Sequence, residues 1–127
     1  MFLASDTTSW IGARFAADGR RTHVALVDPL PAGLEPLNPE LRGSAVDVPR
    51  RRVYLFADWW SPWPEHQSLR DDRAEAFTSL LYGGAYTYTY LARATTLGDY
   101  IVPPPRVEEM YHRETFGRGR ADRVSVR

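Results

Sequence analysis

The stretch LRDDRAEAF (69–77) sets Arg70, Asp71, Asp72, Arg73 and Glu75 within six positions. Paired carboxylates perform acid/base chemistry when their surroundings push the two pKa values apart. Here each Asp has an Arg beside it, and nearby positive charge holds both carboxylates ionised. That arrangement makes a poor general acid. Adjacent residues on a strand also point to opposite faces, whereas a hydrolytic pair must face each other across roughly 5–10 Å. The same residues suit a bend, with Asp side chains accepting backbone N–H groups and Arg side chains clamping the neighbouring strands. Arg70, Asp71, Asp72 and Arg73 are therefore expected to form a structural corner. Glu75 is expected on the strand that follows, on the side of Arg73 and Phe77.

Other chemistries find less support. His23, His66 and His112 are far apart, with no His-x-x-x-His spacing and no Cys in the chain. A metal site would need them to converge in the fold with a carboxylate, so no metal and no cofactor are expected. Without Cys, disulfides, thiol catalysis and thiolate zinc sites are excluded. No serine sits in a Gly-x-Ser-x-Gly elbow. YGGAY (82–86) and FGRGRAD (116–122) lack the strand-to-helix context of a phosphate loop. The best surface-recognition candidate is DWWSPWPEH (58–66), where Trp59, Trp60 and Trp63 offer a contact patch for a sugar ring or a partner protein. Consecutive Trp59 and Trp60 cannot both face inward on a regular strand. Packing at one end of the domain is the competing role for this cluster.

Composition narrows the partners. Sixteen basic residues, all of them Arg, balance sixteen acidic ones across 127 residues. With zero net charge there is no general pull toward nucleic acid or an anionic membrane. Pro49-Arg50-Arg51-Arg52 then reads as a solvated loop, since no Lys or aromatic residue is interleaved. No apolar run approaches the about 20 residues needed to span a bilayer, so no membrane insertion is expected. The start MFLASDTTSW lacks a basic region followed by a long apolar one, so the chain is expected to carry no signal peptide.

Such residues must be positioned by strands rather than helices. WIGARFA (10–16) alternates, with Ile11, Ala13 and Phe15 on one side. Asp18-Gly19 and Gly83-Gly84 are hairpin turn signals, because Gly accepts φ > 0 cheaply. THVALVD (22–28), VYLFADWW (53–60), a segment running toward Arg70 and another from Arg73 to Leu81 read as strands. AYTYTYLARAT (85–95) is the clearest one. It puts Tyr86, Tyr88, Tyr90, Ala92 and Ala94 on one face and Thr87, Thr89, Leu91 and Arg93 on the other. PLPAGLEPLNPEL (29–41) carries four Pro and reads as an extended segment crossing an edge. YIV (100–102) resumes the β pattern before three Pro. RVEEMY (106–111) is assigned to a short edge strand, with room for a short helix as the alternative. RETFGRGRAD (113–122) is assigned to a loop and RVSVR (123–127) to a last strand. Some seven or eight short strands with turn signals every 8–12 residues point to an all-β antiparallel sandwich.

The strings VALVDPLPAGLEPLNPEL (24–41), LRDDRAEAF (69–77), YTYLARATTLGDYIVPPPRVEEMY (88–111) and ETFGRG (114–119), in this order and spacing, resemble the C-terminal macroglobulin-like domain of bacterial alpha-2-macroglobulins. This domain corresponds to the receptor-binding domain of the animal inhibitors. The resemblance runs from near His23 to the end. It divides the chain into a poorly matched N-terminal segment, 1–21, and a β-sandwich domain, 22–127. It implies an immunoglobulin-like sandwich at the end of a long periplasmic or secreted protease trap, an endopeptidase inhibitor. Such a domain would be no enzyme and would have no cofactor. Its partners would be the other domains of the larger chain and, indirectly, proteases. The family's thioester motif contains Cys, so it would have to lie upstream. The resemblance places LRDDR at a strand-to-strand corner, and it includes Met110 and Tyr111 without assigning them a role. The competing function is a free-standing carbohydrate-binding or adhesion module, because a sandwich does not by itself decide function.

Overall fold

The computed structural model describes residues 2–37 and 63–127. The strand expected at VYLFADWW, the Arg50–Arg52 run, Trp59 and Trp60 lie outside these residues. Among the described residues there are eleven strands: β1 (Phe2–Leu3), β2 (Thr8–Ala17), β3 (Arg21–Pro29), β4 (Leu34–Pro36), β5 (His66–Leu69), β6 (Arg73–Leu81), β7 (Gly84–Ala94), β8 (Gly98–Val102), β9 (Arg106–Glu109), β10 (His112–Arg118) and β11 (Asp122–Val126). No helix occurs among them.

The strands form three sheets, in the orders β1-β11-β8, β10-β9-β3-β6-β5 and β2-β7-β4. Every pairing is antiparallel except that of β1 with β11. The count exceeds the expected seven or eight because β1 and β4 are only two and three residues long, and because β10 falls where a loop was expected.

The core follows the period-2 rule. Tyr86, Tyr88, Tyr90, Ala92 and Ala94 are all buried, as the alternation in β7 requires. On β2, Ala13 is buried and Ile11 and Phe15 pack partly against the same core. The register sets Phe15 opposite Tyr86, Ala13 opposite Tyr88 and Ile11 opposite Tyr90, so each apolar residue of β2 faces a Tyr of β7. Val24 and Leu26 of β3 and Ala74 and Ala76 of β6 supply the opposing face. Leu91, placed on the other face, is buried as well.

Two turn signals do a different job from the one expected. Asp18-Gly19 joins β2 to β3, and Gly83-Gly84 joins β6 to β7. Yet β2 pairs with β7 and β3 with β6. Both turns therefore carry the chain from one sheet to another, and neither is a hairpin. They lie side by side, since a Cβ on Gly83 would sit 3.5 Å from Gly19 Cα. Of the three glycines in these turns only Gly84 adopts a positive φ, 153°.

RVEEMY also departs from expectation. β9 is a strand, but it lies between β3 and β10 rather than at an edge. The edge is β10, formed by part of the segment assigned to a loop. Six of its seven residues are exposed, so it carries no apolar alternation for a sequence reading to detect. The Pro-rich segment, expected to be extended throughout, is broken by a turn at Ala32-Gly33, where Leu34 N–H donates to Pro31 C=O at 3.1 Å. Pro29 ends β3, Leu30 N–H donates to Asp72 C=O (2.8 Å), and β4 lies along the edge of β7.

Candidate functional site

At the LRDDR corner, Arg70 N–H donates to Arg73 C=O (2.9 Å), closing a tight bend between β5 and β6. The Arg73 guanidinium donates to Glu75 through Nε and reaches Asp72 Oδ1 at 3.2 Å. Arg70 Nε lies 3.8 Å from Glu75 Oε1. The hydrogen bond to the Glu75 carboxylate holds Arg73 more firmly protonated than an ordinary arginine. Asp71 is exposed and has no ion pair or hydrogen bond among the described residues. The shared acceptor is Glu75, which stands half-buried with Arg73 and Phe77 on one side of β6.

Trp63 does not lie on an open plane. Its ring meets Phe15 edge-on at 5.1 Å, with Tyr86 at 6.2 Å and Tyr88 at 6.5 Å. Its indole N–H is buried and finds no acceptor among the described residues. A platform of three Trp rings would have to include this inward-packed one.

The three histidines sit on different strands: His23 on β3, His66 on β5 and His112 on β10. Among the described residues no group of three or more His, Asp or Glu is placed to hold a metal ion.

The arrangement with the strongest surface character is the β9–β10 tip. Glu109 pairs with His112 across Met110 and Tyr111, which makes a two-residue turn. Neither residue has a positive φ, so the turn is not of the I′ or II′ kinds that suit a twisted hairpin. The register accordingly slips beyond it, from His112 opposite Glu109 to Phe116 opposite Glu108. Turns of this length favour Gly, Asn and Asp. Here they are replaced by two large apolar side chains, Met110 at 41% and Tyr111 at 74% exposure. Phe116, also exposed, lies beneath the Arg106 guanidinium at 4.5 Å.

The tip is fastened at its base. Glu109 is buried and is met by Arg21 Nη1 at 3.2 Å, while Arg21 Nη2 reaches Asp18 at 2.5 Å. This pairing, Arg21 first, holds the Asp18 carboxyl below the usual carboxylate range. Met110 N–H donates to His23 C=O at 2.7 Å, and the His23 ring meets the Tyr111 ring edge-on at 4.9 Å and 84°. A cleft of about 680 Å³ opens beside it, between β2 and the β9–β10 hairpin.

Sequence reasoning missed three of these features. Asp28 is buried, its carboxyl raised by burial and accepting from Tyr90 Oη at 2.7 Å. Glu109 is a second buried acid. His23 matters through its backbone and its contact with Tyr111, whereas the sequence reading weighed it only as a metal ligand. No local signal marks Asp28 or Glu109; their partners lie 62 and 88 positions away.

The strands define the class: an all-β sandwich domain with an apolar hairpin tip. The family model described as the bacterial alpha-2-macroglobulin MG10 domain matches residues 8–114, and the chain belongs to that family. The alpha-2-macroglobulin of Xylella fastidiosa (strain Temecula1 / ATCC 700964) is 39% identical over 97 residues, 75% of this chain and 6% of that protein. Circularly permutated Ras protein 2 of Dictyostelium discoideum is 45% identical over 62 residues, 49% of this chain and 2% of that protein. A structure of Escherichia coli alpha-2-macroglobulin activated by porcine elastase superposes with a TM-score of 0.84 at 33% identity, covering 98% of this chain and 11% of that one. The chain thus spans a small part of the relatives it matches.

Proposed function

We propose that this chain is the non-catalytic C-terminal module of an alpha-2-macroglobulin-like, broad-spectrum endopeptidase inhibitor. The Met110–Tyr111 tip is the surface by which it packs on another domain of that larger chain, which would be periplasmic or secreted. The observation that carries the reading is the tip itself. A two-residue turn that exposes Met and Tyr gains nothing for the isolated domain. Tyr and Met are enriched where protein surfaces meet, and a tip fastened by Glu109 and His23 has little ordering left to lose on contact. The family resemblance supplies the neighbour, the thioester-bearing domain, from which this module would be displaced when the trap springs. In this reading Arg70, Asp72 and Arg73 pin a corner, Asp71 stands exposed beside it rather than pinning it as expected, and none of the four takes part in chemistry. Proteases are met only indirectly.

The test is association in trans. The 127-residue chain is mixed with an alpha-2-macroglobulin chain from which the matching domain has been deleted, and complex formation is followed by size-exclusion chromatography. The native chain should co-elute. Met110→Ser with Tyr111→Ser should keep its melting temperature and lose co-elution. Unchanged co-elution of the double variant would remove the tip from the interface.

A further inference from the structure

We infer that His23 is the positioning residue of the Met110–Tyr111 tip. The inference rests on the reading of the tip as a docking surface. β3 lies between β6 and β9. Its register with β6 sets Thr22 against Leu80 and Val24 against Thr78, and it leaves His23 and Ser79 out of the pairing. At that gap His23 adopts φ 51, the left-handed region. A residue other than Gly is held there only when its surroundings over-determine it.

Toward β9, the His23 carbonyl captures the Met110 N–H at 2.7 Å, and the His23 ring rests edge-on against Tyr111. On the β5-facing edge of β6, the Ser79 N–H donates to the Glu65 carboxylate at 2.8 Å, with the Ser79 hydroxyl at 3.3 Å. The Ser79 backbone bond, with the Ser79 hydroxyl beside it, holds the Glu65 carboxyl below its usual range. Ser79 thus has its partner on the far edge of β6, and His23 spends its carbonyl on the tip. The backbone of His23 fixes where Met110 starts, and its ring fixes where Tyr111 points.

Two substitutions separate these roles. His23→Gly accepts φ > 0 freely and deletes only the ring. His23→Val deletes the ring and resists φ > 0. The readouts on the 127-residue chain are Met110 amide exchange by NMR and the rate of chymotrypsin cleavage after Tyr111, with urea unfolding measured alongside. His23→Gly should keep Met110 protection and raise cleavage about three- to tenfold, the scale of a lost aromatic contact. His23→Val should lose Met110 protection as well. Glu65→Gln should lower protection of the Ser79 amide. Native exchange and cleavage in His23→Val would overturn the inference. So would changes that merely track the fall in global stability. The docking reading fails separately, if Tyr111→Ser still co-elutes with the truncated inhibitor chain while the His23 variants loosen the tip as expected.

Discussion

The phenolic oxygen of Tyr90 donates to Oδ2 of Asp28 across 2.7 Å, and both residues are buried. The bond joins β7 to β3 through the interior, between one layer of the sandwich and the other. Burial, then the neighbouring Asp28, pushes the Tyr90 hydroxyl far above its ordinary range, so it remains a donor. Tyr88, next on the same face, is pushed up to about 12 chiefly by burial, and its hydroxyl is spent on Gln67 at 2.9 Å. A buried acceptor whose donor is removed retains its full desolvation penalty. Tyr90→Phe should therefore destabilise the fold by about 1–3 kcal/mol. In an Asp28→Asn background the same change should cost less, because the orphaned group is neutral. Urea unfolding of the four proteins measures the coupling. Equal costs in both backgrounds would show that the bond contributes only packing.

Asp28 also sets a pH dependence. Burial raises its carboxyl above the unfolded value, against a smaller lowering by the Tyr90 bond. A raised folded pKa means that the folded state binds the proton more tightly. The stability that follows is fully present below the unfolded carboxylate pKa of about 3.9, and it is lost as pH rises through the raised folded value. Relative to Asp28→Asn, the native chain should gain stability as pH falls from 7 toward 4. Measuring the difference between the two proteins cancels the other carboxylates, such as Asp18 and Glu65, whose shifts run the opposite way. A difference that stays flat with pH would mean that Asp28 is not desolvated in the folded state.

The LRDDR corner should behave as a bend rather than a site. Asp71 is exposed and unpartnered among the described residues, so Asp71→Ala should leave the melting temperature unchanged. Arg73→Ala should lower it, because Arg73 meets both Glu75 and Asp72. Asp71→Ala with Asp72→Ala should produce a small decrease at most. Loss of a hydrolytic activity in that double variant, at unchanged stability, would reverse the assignment and restore an acid/base role.

How far the sequence could be read depends on whether the signal was local. The Tyr86–Tyr88–Tyr90 face was legible because a long central strand alternates strictly, and burial follows from that alternation. β6 was legible from Arg73 to Leu81 for the same reason. β10 was not, since its residues face solvent on both sides and it is held by backbone pairing with β9. The Asp18-Gly19 and Gly83-Gly84 turns were recognised as turns, but their partners were misjudged, because a dipeptide does not carry the information about which strand pairs with which. The tip was only half legible. Met110 and Tyr111 came with the family resemblance, while the reason for them needs the two-residue turn and the left-handed His23, neither of which has a sequence signature. Asp28 and Glu109 look like ordinary charged residues until strands distant in sequence close over them.

Gly33 gives a steric prediction of a different kind. The ring of Tyr100 lies against it, so a Cβ at position 33 would fall 2.3 Å from Tyr100 Cε2. Tyr100 is not free to retreat, because its hydroxyl is tied to the carbonyls of Leu97 and Thr96 at 3.0 and 3.2 Å. The backbone beside Gly33 is equally tied, since its own carbonyl accepts the Thr95 N–H at 2.9 Å. Gly33→Ala should therefore destabilise by about 1–3 kcal/mol, the range for forcing an extra carbon into a packed contact. The same change in a Tyr100→Ala background should cost much less, because the ring that creates the clash is gone. Thermal unfolding of the single and double variants measures both quantities. A full cost that persists without the ring would mean that Gly33 is needed for its backbone conformation, and that its contact with Tyr100 is incidental.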